Sequence, residues 1–480
     1  MAKSRSASGI LTAAIGVSAR ASNQLVLLCL TLVSTRFLAP AEFGVFALAA
    51  AATTLVRTVL YTGAYEYLLK APDAKSTSTE CLIVNAMAAA TMSLGLLAFA
   101  FTAKRLFGTA ELGWVVLALI PSNFIAMITA WQEALLLRGT RIRLYYAITL
   151  TTEIFAGVVA VVLFEMGWGI KALIAQTYVR AIVQALAYLT LKPTVLSTRP
   201  SLRMVREILN WSLSRYAGVA VGFLSNYSAD FLLGAFLSTS ASGLYRAGNR
   251  IATSVSDLFA QPARTFGVTL FSRQSAEGRS PDELWPKVMI ACTALGWPAL
   301  AGLAAVSGKL IPLALGHKWA AAAPLVSIFC LGKSFGIVSS VTGPLLVAYN
   351  HQKLALGLQT AGTVCSVTAL FFFARYGVEA ALWSGVATGS IMMLAQFGAV
   401  LWLFPASGRH LLKALPSVLA PTLATIAGAQ LCLQLAPWGA SHNKWLLTAA
   451  IILAGMLAWA FAALPFRRRI VQSAAALGGG

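Results

Sequence analysis

From about residue 12 to residue 464 the chain is a near-continuous succession of apolar runs of about 20 residues, broken only by short clusters of charge, proline and glycine. A run of that length, wound as a helix rising about 1.5 Å per residue, matches the hydrocarbon thickness of a bilayer. Fourteen candidate spans follow, at 12–34, 43–69, 81–103, 112–137, 144–165, 169–191, 208–237, 242–271, 285–306, 321–349, 353–374, 378–404, 411–436 and 443–464. The chain is 58% hydrophobic and 11% charged, and its mean hydropathy of +0.77 excludes a soluble globular fold. The expected fold class is an all-α polytopic membrane protein.

The formal net charge of +21 is a topology signal, not a nucleic-acid footprint. With the N-terminus inside, the basic residues concentrate in the inside segments, including Arg138, Arg141, Arg143, Arg199, Arg203, Arg206 and the run Arg467, Arg468, Arg469. Both termini are then cytoplasmic. Lys3 and Arg5 resemble a signal-peptide head, but no small-residue cleavage site follows, so the first helix is expected to stay. Every loop is short, the longest near 192–207 and 272–287, which leaves no room for an extramembrane catalytic domain. The six cysteines lie in apolar stretches without Cys-x-x-Cys spacing and read as packed small hydrophobes. Neither a metal site nor a cofactor is expected. Gly332-Lys333-Ser334 fails as a P-loop because Ser327 stands where the motif needs glycine.

Against this background Arg246, Arg250, Asp257 and Arg264 stand out. Their offsets place them within roughly 40° of arc on one helix, and arginines facing lipid are prohibitively costly. They point into a bundle or a wet cavity, where converging cations imply either an anionic cargo or structural carboxylates. Arg20 aligns with Asn23, Gln24 and Thr31 on the first span, Arg57 with Tyr61 on the second, and Arg215 with Gly222 and Asn226 on the seventh. Lys333, in the tenth, faces either a cavity or a helix contact. Five acids, Glu66, Glu133, Glu153, Asp230 and Asp257, also lie within spans, and each offers an arginine a buried pair instead of a cargo. Asp257 is one heptad from both Arg250 and Arg264. Arg180, flanked by Gln176 and Gln184, matches Glu153 in depth and is expected to form a structural salt bridge. Pro262 and Pro298 fall mid-span, where a missing N–H favours a kink. Trp114, Trp168, Trp211 and Trp438 read as interfacial anchors.

An internal echo is also present. Phe37-Leu38 with Gly44-Val45-Phe46 recurs as Phe236-Leu237 with Gly243-Leu244-Tyr245 at an offset of 199, as a parallel repeat would require.

Thr35-Arg36-Phe37-Leu38-Ala39-Pro40-Ala41-Glu42-Phe43-Gly44 resembles the first-hairpin signature of the polysaccharide-transport branch of the multidrug/oligosaccharidyl-lipid/polysaccharide (MOP) flippase superfamily. Asp230-Phe231-Leu232-Leu233-Gly234 through Gly243-Leu244-Tyr245 resembles its seventh and eighth helices. Leu310-Ile311-Pro312-Leu313-Ala314-Leu315-Gly316, Trp319 and Ala323-Pro324-Leu325 resemble its ninth-to-tenth connection.

The resemblance implies two pseudo-symmetric six-helix lobes around a central cationic cavity, plus two C-terminal helices. The corresponding domains are an N-lobe at 1–191, a cytoplasmic linker at 192–207, a C-lobe at 208–404, extra helices at 405–466 and a basic cytoplasmic tail at 467–480. It further implies a non-enzymatic flippase that moves undecaprenyl-diphosphate-linked oligosaccharide repeat units of O-antigen, capsule or exopolysaccharide across the bacterial inner membrane by alternating access, driven by an ion or the membrane potential. Arg20, Arg57, Arg215, Arg246, Arg250, Arg264 and Lys333 would grip the pyrophosphate, since a guanidinium stays charged when desolvated and offers a planar fork. Asp230 and Asp257 would couple an ion or brace a cation, with Asn23, Gln24, Tyr61 and Asn226 as polar cavity lining. The expected partners are the lipid-linked oligosaccharide, membrane lipid and a polysaccharide polymerase, with no nucleic acid. Alternatives are a peptidoglycan-precursor (lipid II) flippase, then a multidrug exporter or a membrane glycosyltransferase. A cationic cavity would repel cationic drugs, and a glycosyltransferase would want an Asp-x-Asp site that is lacking.

Overall fold

The computed structural model describes residues 22, 24–72, 74–139, 141–191, 200–435 and 444–477, which form helices joined by short turns, with no strand among them. Twelve helices in this set are long and apolar enough to cross a membrane. A shorter apolar helix, α1 (Gln24–Phe37), precedes them. The long helix α9 (Thr239–Ala276), at 38 residues, has the length but not the apolarity, because Arg246, Arg250, Asp257 and Arg264 fall along it. Twelve of the expected spans are thus matched by helices of that kind, while the first, 12–34, lies largely outside the described residues and the eighth, 242–271, falls on α9. The chain is an all-α polytopic membrane protein.

It divides into two compact units, residues 1–243 and 244–480. The first holds α2 (Pro40–Leu60), α3 (Ala64–Lys70), α4 (Ala74–Phe107), α5 (Glu111–Arg138), α6 (Ile142–Glu165), α7 (Ile170–Leu191) and α8 (Leu202–Phe236). Its core forms where α2, α4 and α5 meet, around Leu48, Val56, Leu60, Leu96, Val115, Val116 and Leu119. A second cluster joins Leu68, Cys81, Val84, Trp131 and Ile208, and the Trp131 indole donates to the Ser78 carbonyl at 2.9 Å. α8 packs on α2, α3 and α4 within this unit.

α2 begins as its sequence dictates. Pro40 takes the first helical position, where no N–H is required, and the Glu42 carboxylate accepts from the Ala39 N–H at 2.8 Å. One turn on, a Cβ added at Gly44 would collide with the carbonyl of Thr239, and one at Gly243 with the carbonyl of Pro40. The two glycines of the internal echo therefore permit one close backbone crossing between the first turns of α2 and α9. Ser238 caps the second of these starts, its hydroxyl accepting from the Ala241 N–H at 3.1 Å.

The second span was expected to run unbroken over 43–69, but the helix breaks at residues 61–63 and restarts as α3. Gly63 is the cause: at φ 57° and ψ −113° it adopts a conformation that a side chain disfavours, and a Cβ there would also strike Tyr216 and Ser212. Hydropathy cannot register such a break, because Tyr61-Thr62-Gly63-Ala64 is no more polar than its surroundings.

The second unit is built on α10 (Leu284–Leu315), which packs against α11 (Ala322–Ala348), α14 (Ala406–Ala414), α15 (Pro416–Leu435), α16 (Lys444–Ala463) and α17 (Arg467–Leu477). α12 (Gln352–Phe373) and α13 (Val378–Leu403) pair beside α11. Between α10 and α11 the chain turns at Gly316, with φ 100°, and the short 3-10 turn that follows buries Trp319 completely. At Gly428 on α15 a Cβ would press into Ala454 and Ala458 of α16. Where lipid removes the hydrophobic drive between helices, such small-residue contact is what holds them together.

Several helices overrun their expected spans. α10 continues to Leu315 instead of ending near 306, α8 begins at Leu202 inside the expected 192–207 linker, and residues 467–477 of the expected tail form α17. Apolar length marks only the portion within hydrocarbon, whereas helical hydrogen bonding continues into the headgroup zone. α9 and α10 also continue through Pro262 and Pro298.

Gly44→Ala and Gly243→Ala should each destabilise the detergent-purified protein by about 1–3 kcal/mol. Gly95→Ala on α4, where a Cβ meets open space, should be neutral or stabilising. Thermal unfolding followed by circular dichroism checks the contrast.

Candidate functional site

In the first unit a polar seam runs between α2, α3, α5, α6 and α7. Arg57, half-buried in the last turn of α2, donates to the Ser122 hydroxyl of α5 at 3.3 Å. It lies within electrostatic reach of Arg180, Tyr61 and Glu153. Arg180 pairs with Glu153 at 3.1 Å, the structural bridge expected from their matched depth. Below them Glu133 on α5, only 4% exposed, accepts from the Tyr65 hydroxyl at 2.9 Å and from the Tyr188 hydroxyl at 3.4 Å. Gln184 donates to the Tyr188 oxygen at 3.1 Å. Tyr61, just past the end of α2, sits against Tyr65 with ring centroids 5.4 Å apart. The α2–α3 break thus aims Tyr61 and Tyr65 at one buried carboxylate.

The other expected residues of this unit lie elsewhere. Arg215 on α8 is exposed, pairs with Glu66 at 3.7 Å and lies over the Trp211 ring at 4.8 Å. Asn226, also exposed, donates to the carbonyl of Gly222 on its own helix at 2.7 Å. Asp230 is fully buried in α8. Gln24 is half-buried in α1. Arg20 and Asn23 lie outside the described residues.

In the second unit the α9 stripe holds its register. Arg246, Arg250 and Asp257 are half-buried and Arg264 is exposed. Lys333, reaching from α11, is half-buried and within electrostatic reach of Asp257, Arg264 and Arg246. Phe329 and Val326, one to two turns earlier on α11, lie at van der Waals distance from Gly248, so the two helices are packed closely along this stretch. The cluster brings Lys333 of α11 to the arginine-bearing stripe of α9, and converging cations of this kind are what an anion would exploit. Among the described residues no group of three or more histidines, cysteines or acids could hold a metal ion.

Residues 33–324 match the family described as polysaccharide biosynthesis protein. The chain belongs to that family. A relative, the succinoglycan biosynthesis transport protein ExoT of Rhizobium meliloti (strain 1021), is 24% identical over 359 residues, covering 72% of this chain and 71% of its own. Among solved structures, the lipid II flippase MurJ in its inward closed conformation superimposes with a TM-score of 0.74 at 14% identity, covering 96% of this chain and 100% of that one. An inward-facing multidrug resistance MATE transporter of the MOP superfamily gives 0.65 at 13% identity, covering 80% of this chain and 96% of that one. Both likenesses are of fold, and they agree with the MOP resemblance carried by the sequence motifs.

Three members of the seam went unassigned to any site by sequence reasoning: Tyr65, Tyr188 and Glu133 in its tyrosine-held setting. Glu133 was noted only as a possible arginine partner. The tyrosines are 68 and 55 positions from it, and nothing local in the sequence links them.

Glu153→Gln should cost this family member about 3 kcal/mol by leaving the Arg180 charge without its counterion. The double change with Arg180→Met should recover most of that loss. A double-mutant cycle on thermal stability measures the coupling.

Proposed function

We propose that this protein is a flippase for undecaprenyl-diphosphate-linked oligosaccharide repeat units, working by alternating access in the bacterial inner membrane with both termini cytoplasmic. The observation that carries the reading is the gathering of cations in the second unit, where Lys333 lies within electrostatic reach of Arg246 and Arg264 as well as of Asp257. A lipid-linked oligosaccharide has a polyprenyl tail, a pyrophosphate and a sugar head, and only the pyrophosphate has a charge independent of the sugar. Guanidinium groups remain protonated in low dielectric and donate in pairs to phosphate oxygens. Arg57, Arg246, Arg250 and Arg264 are the gripping residues in this reading, with Lys333 as a point charge and Arg20 and Arg215 as further contacts. Asp230 and Asp257 brace cations or couple an ion. Its family, and a relative named for succinoglycan transport, support exopolysaccharide repeat units as the cargo class. Binding and translocation call for no covalent chemistry, so the protein acts as a transporter and not as an enzyme.

A second reading, lipid II as cargo, is favoured by the fold likeness to MurJ. It shares the pyrophosphate and the polyprenyl tail and differs only in the sugar-peptide head. The same cationic residues serve both.

Arg57→Ala and Arg250→Ala should each reduce translocation of lipid-linked oligosaccharide roughly tenfold or more at unchanged protein abundance, the loss expected for a charge-assisted hydrogen bond. The Lys replacements should restore part of it. Surface polysaccharide in complemented cells, read beside membrane protein level, decides the matter, and full export by both Ala variants would remove the assigned role. A reporter inserted at 317–321, between α10 and α11, should report the periplasm, and one placed after Lys192 the cytoplasm. The opposite pattern would invert the proposed orientation.

A further inference from the structure

The seam of the first unit contains a carboxylate that the pyrophosphate-gripping scheme does not use. Glu133 is 4% exposed, lies within the last two turns of the spanning helix α5, and has two tyrosyl hydroxyls as its hydrogen-bond partners. No ion pair reaches it among the described residues. Burying a carboxylate without a cation is expensive, and an intramembrane acid kept in that state is expected to serve a function.

Each neighbouring element presents its own groups. α2 brings Arg57, with Tyr61 just beyond its end, and α3 brings Tyr65, while Glu66 of α3 turns away to Arg215. α6 contributes Tyr145 and Glu153, and α7 contributes Arg180 and Tyr188. The acid of α4, Glu80, instead accepts from the Ser201 N–H, and its Cys81 packs into the apolar cluster around Leu68. Arg138, on α5 itself, donates to the carbonyls of Leu68, Ala71 and Pro72.

The seam therefore holds two cations, Arg57 and Arg180, and two carboxylates, Glu153 and Glu133. Glu153 is committed to Arg180, which leaves Glu133 as the member able to change charge. A metal cation is a poor candidate for the site. Hard cations require several oxygen ligands, whereas the tyrosyl hydroxyls here point their hydrogens at the carboxylate, and among the described residues no cluster of acids surrounds it.

We propose that Glu133, held between Tyr65 and Tyr188, is a proton-binding site of the transport cycle. One proton converts the carboxylate to the acid, whose new O–H donates to a tyrosyl oxygen while its carbonyl oxygen accepts from the other hydroxyl. The seam passes from neutral to a net charge of +1, which raises its affinity for an anion, and release of the proton reverses the step. The coupling half of this inference rests on the flippase reading, whereas proton binding itself does not.

Infrared difference spectroscopy on the purified full-length protein in liposomes, titrated with pH in the absence of any cargo, tests the binding. The carbonyl stretch of a protonated carboxyl group should appear as pH falls, vanish in Glu133→Gln and persist at a shifted frequency in Glu133→Asp. A titration unchanged in Glu133→Gln, or a band that responds to sodium chloride and not to pH, would overturn the proposal. For coupling, the same liposomes receive undecaprenyl-diphosphate-linked oligosaccharide under an imposed pH gradient. Wild type should accelerate several-fold with the gradient, whereas Glu133→Gln, fixed in the neutral form, should move the lipid at a rate that the gradient does not change. Retained acceleration in that variant overturns the coupling role. If wild type moves no lipid-linked oligosaccharide at all, the flippase reading falls while the infrared result still decides the proton site.

Discussion

The cost of a charge in hydrocarbon governs this structure more than any packing contact does. An apolar residue is as well solvated by lipid as by a neighbouring helix, so burial alone scarcely sets which face of a helix turns inward. A guanidinium has no such indifference. Arg57 fixes the rotation of α2 toward Ser122, and the Arg180–Glu153 pair fixes α7 against α6. The polar residues thus orient the helices, and small residues then decide how closely they approach.

Gly44 and Gly243 show how the two requirements combine. They occupy equivalent places in the internal echo, and each would collide with the opposite helix start if it carried a Cβ. The signature Ala39-Pro40-Ala41-Glu42-Phe43-Gly44 has a mechanical content that follows from this. Proline and glutamate start the helix, and one turn later glycine clears the space for the crossing. Such a motif marks a fold, and it says nothing about which sugar is carried.

What the sequence made legible divides along the same line. The spans could be read because an apolar run of about 20 residues has few alternatives in a membrane protein, and the Arg180–Glu153 bridge because matched depth on neighbouring helices leaves two opposite charges little choice. The break at Gly63 was hidden, since a single φ value leaves no trace in hydropathy. The extension of α10 to Leu315 was hidden because helicity outlasts apolarity. Among the site residues the stripe on α9 was visible from its own periodicity, and the approach of Lys333 to it was left as one of two alternatives. Glu133 was present in the sequence as a lone acid, but its setting comes from Tyr65 and Tyr188 on two other helices, a juxtaposition that only the packed bundle creates.

The two polar clusters differ in chemistry, and the difference bears on how work is divided in a transporter of this fold. The cluster on α9 and α11 is built chiefly from guanidinium groups, whose planar forks suit the holding of an anion. The seam in the first unit is nearly balanced and rich in tyrosine, with hydroxyls able either to donate or to accept. A balanced site changes character when it gains a single proton, whereas a site with a large surplus barely does. In the proposed scheme sensitivity to an ion therefore sits where the charges nearly cancel, and grip where they do not. A transporter that placed both tasks in one cluster would weaken its hold on cargo whenever it sensed the ion.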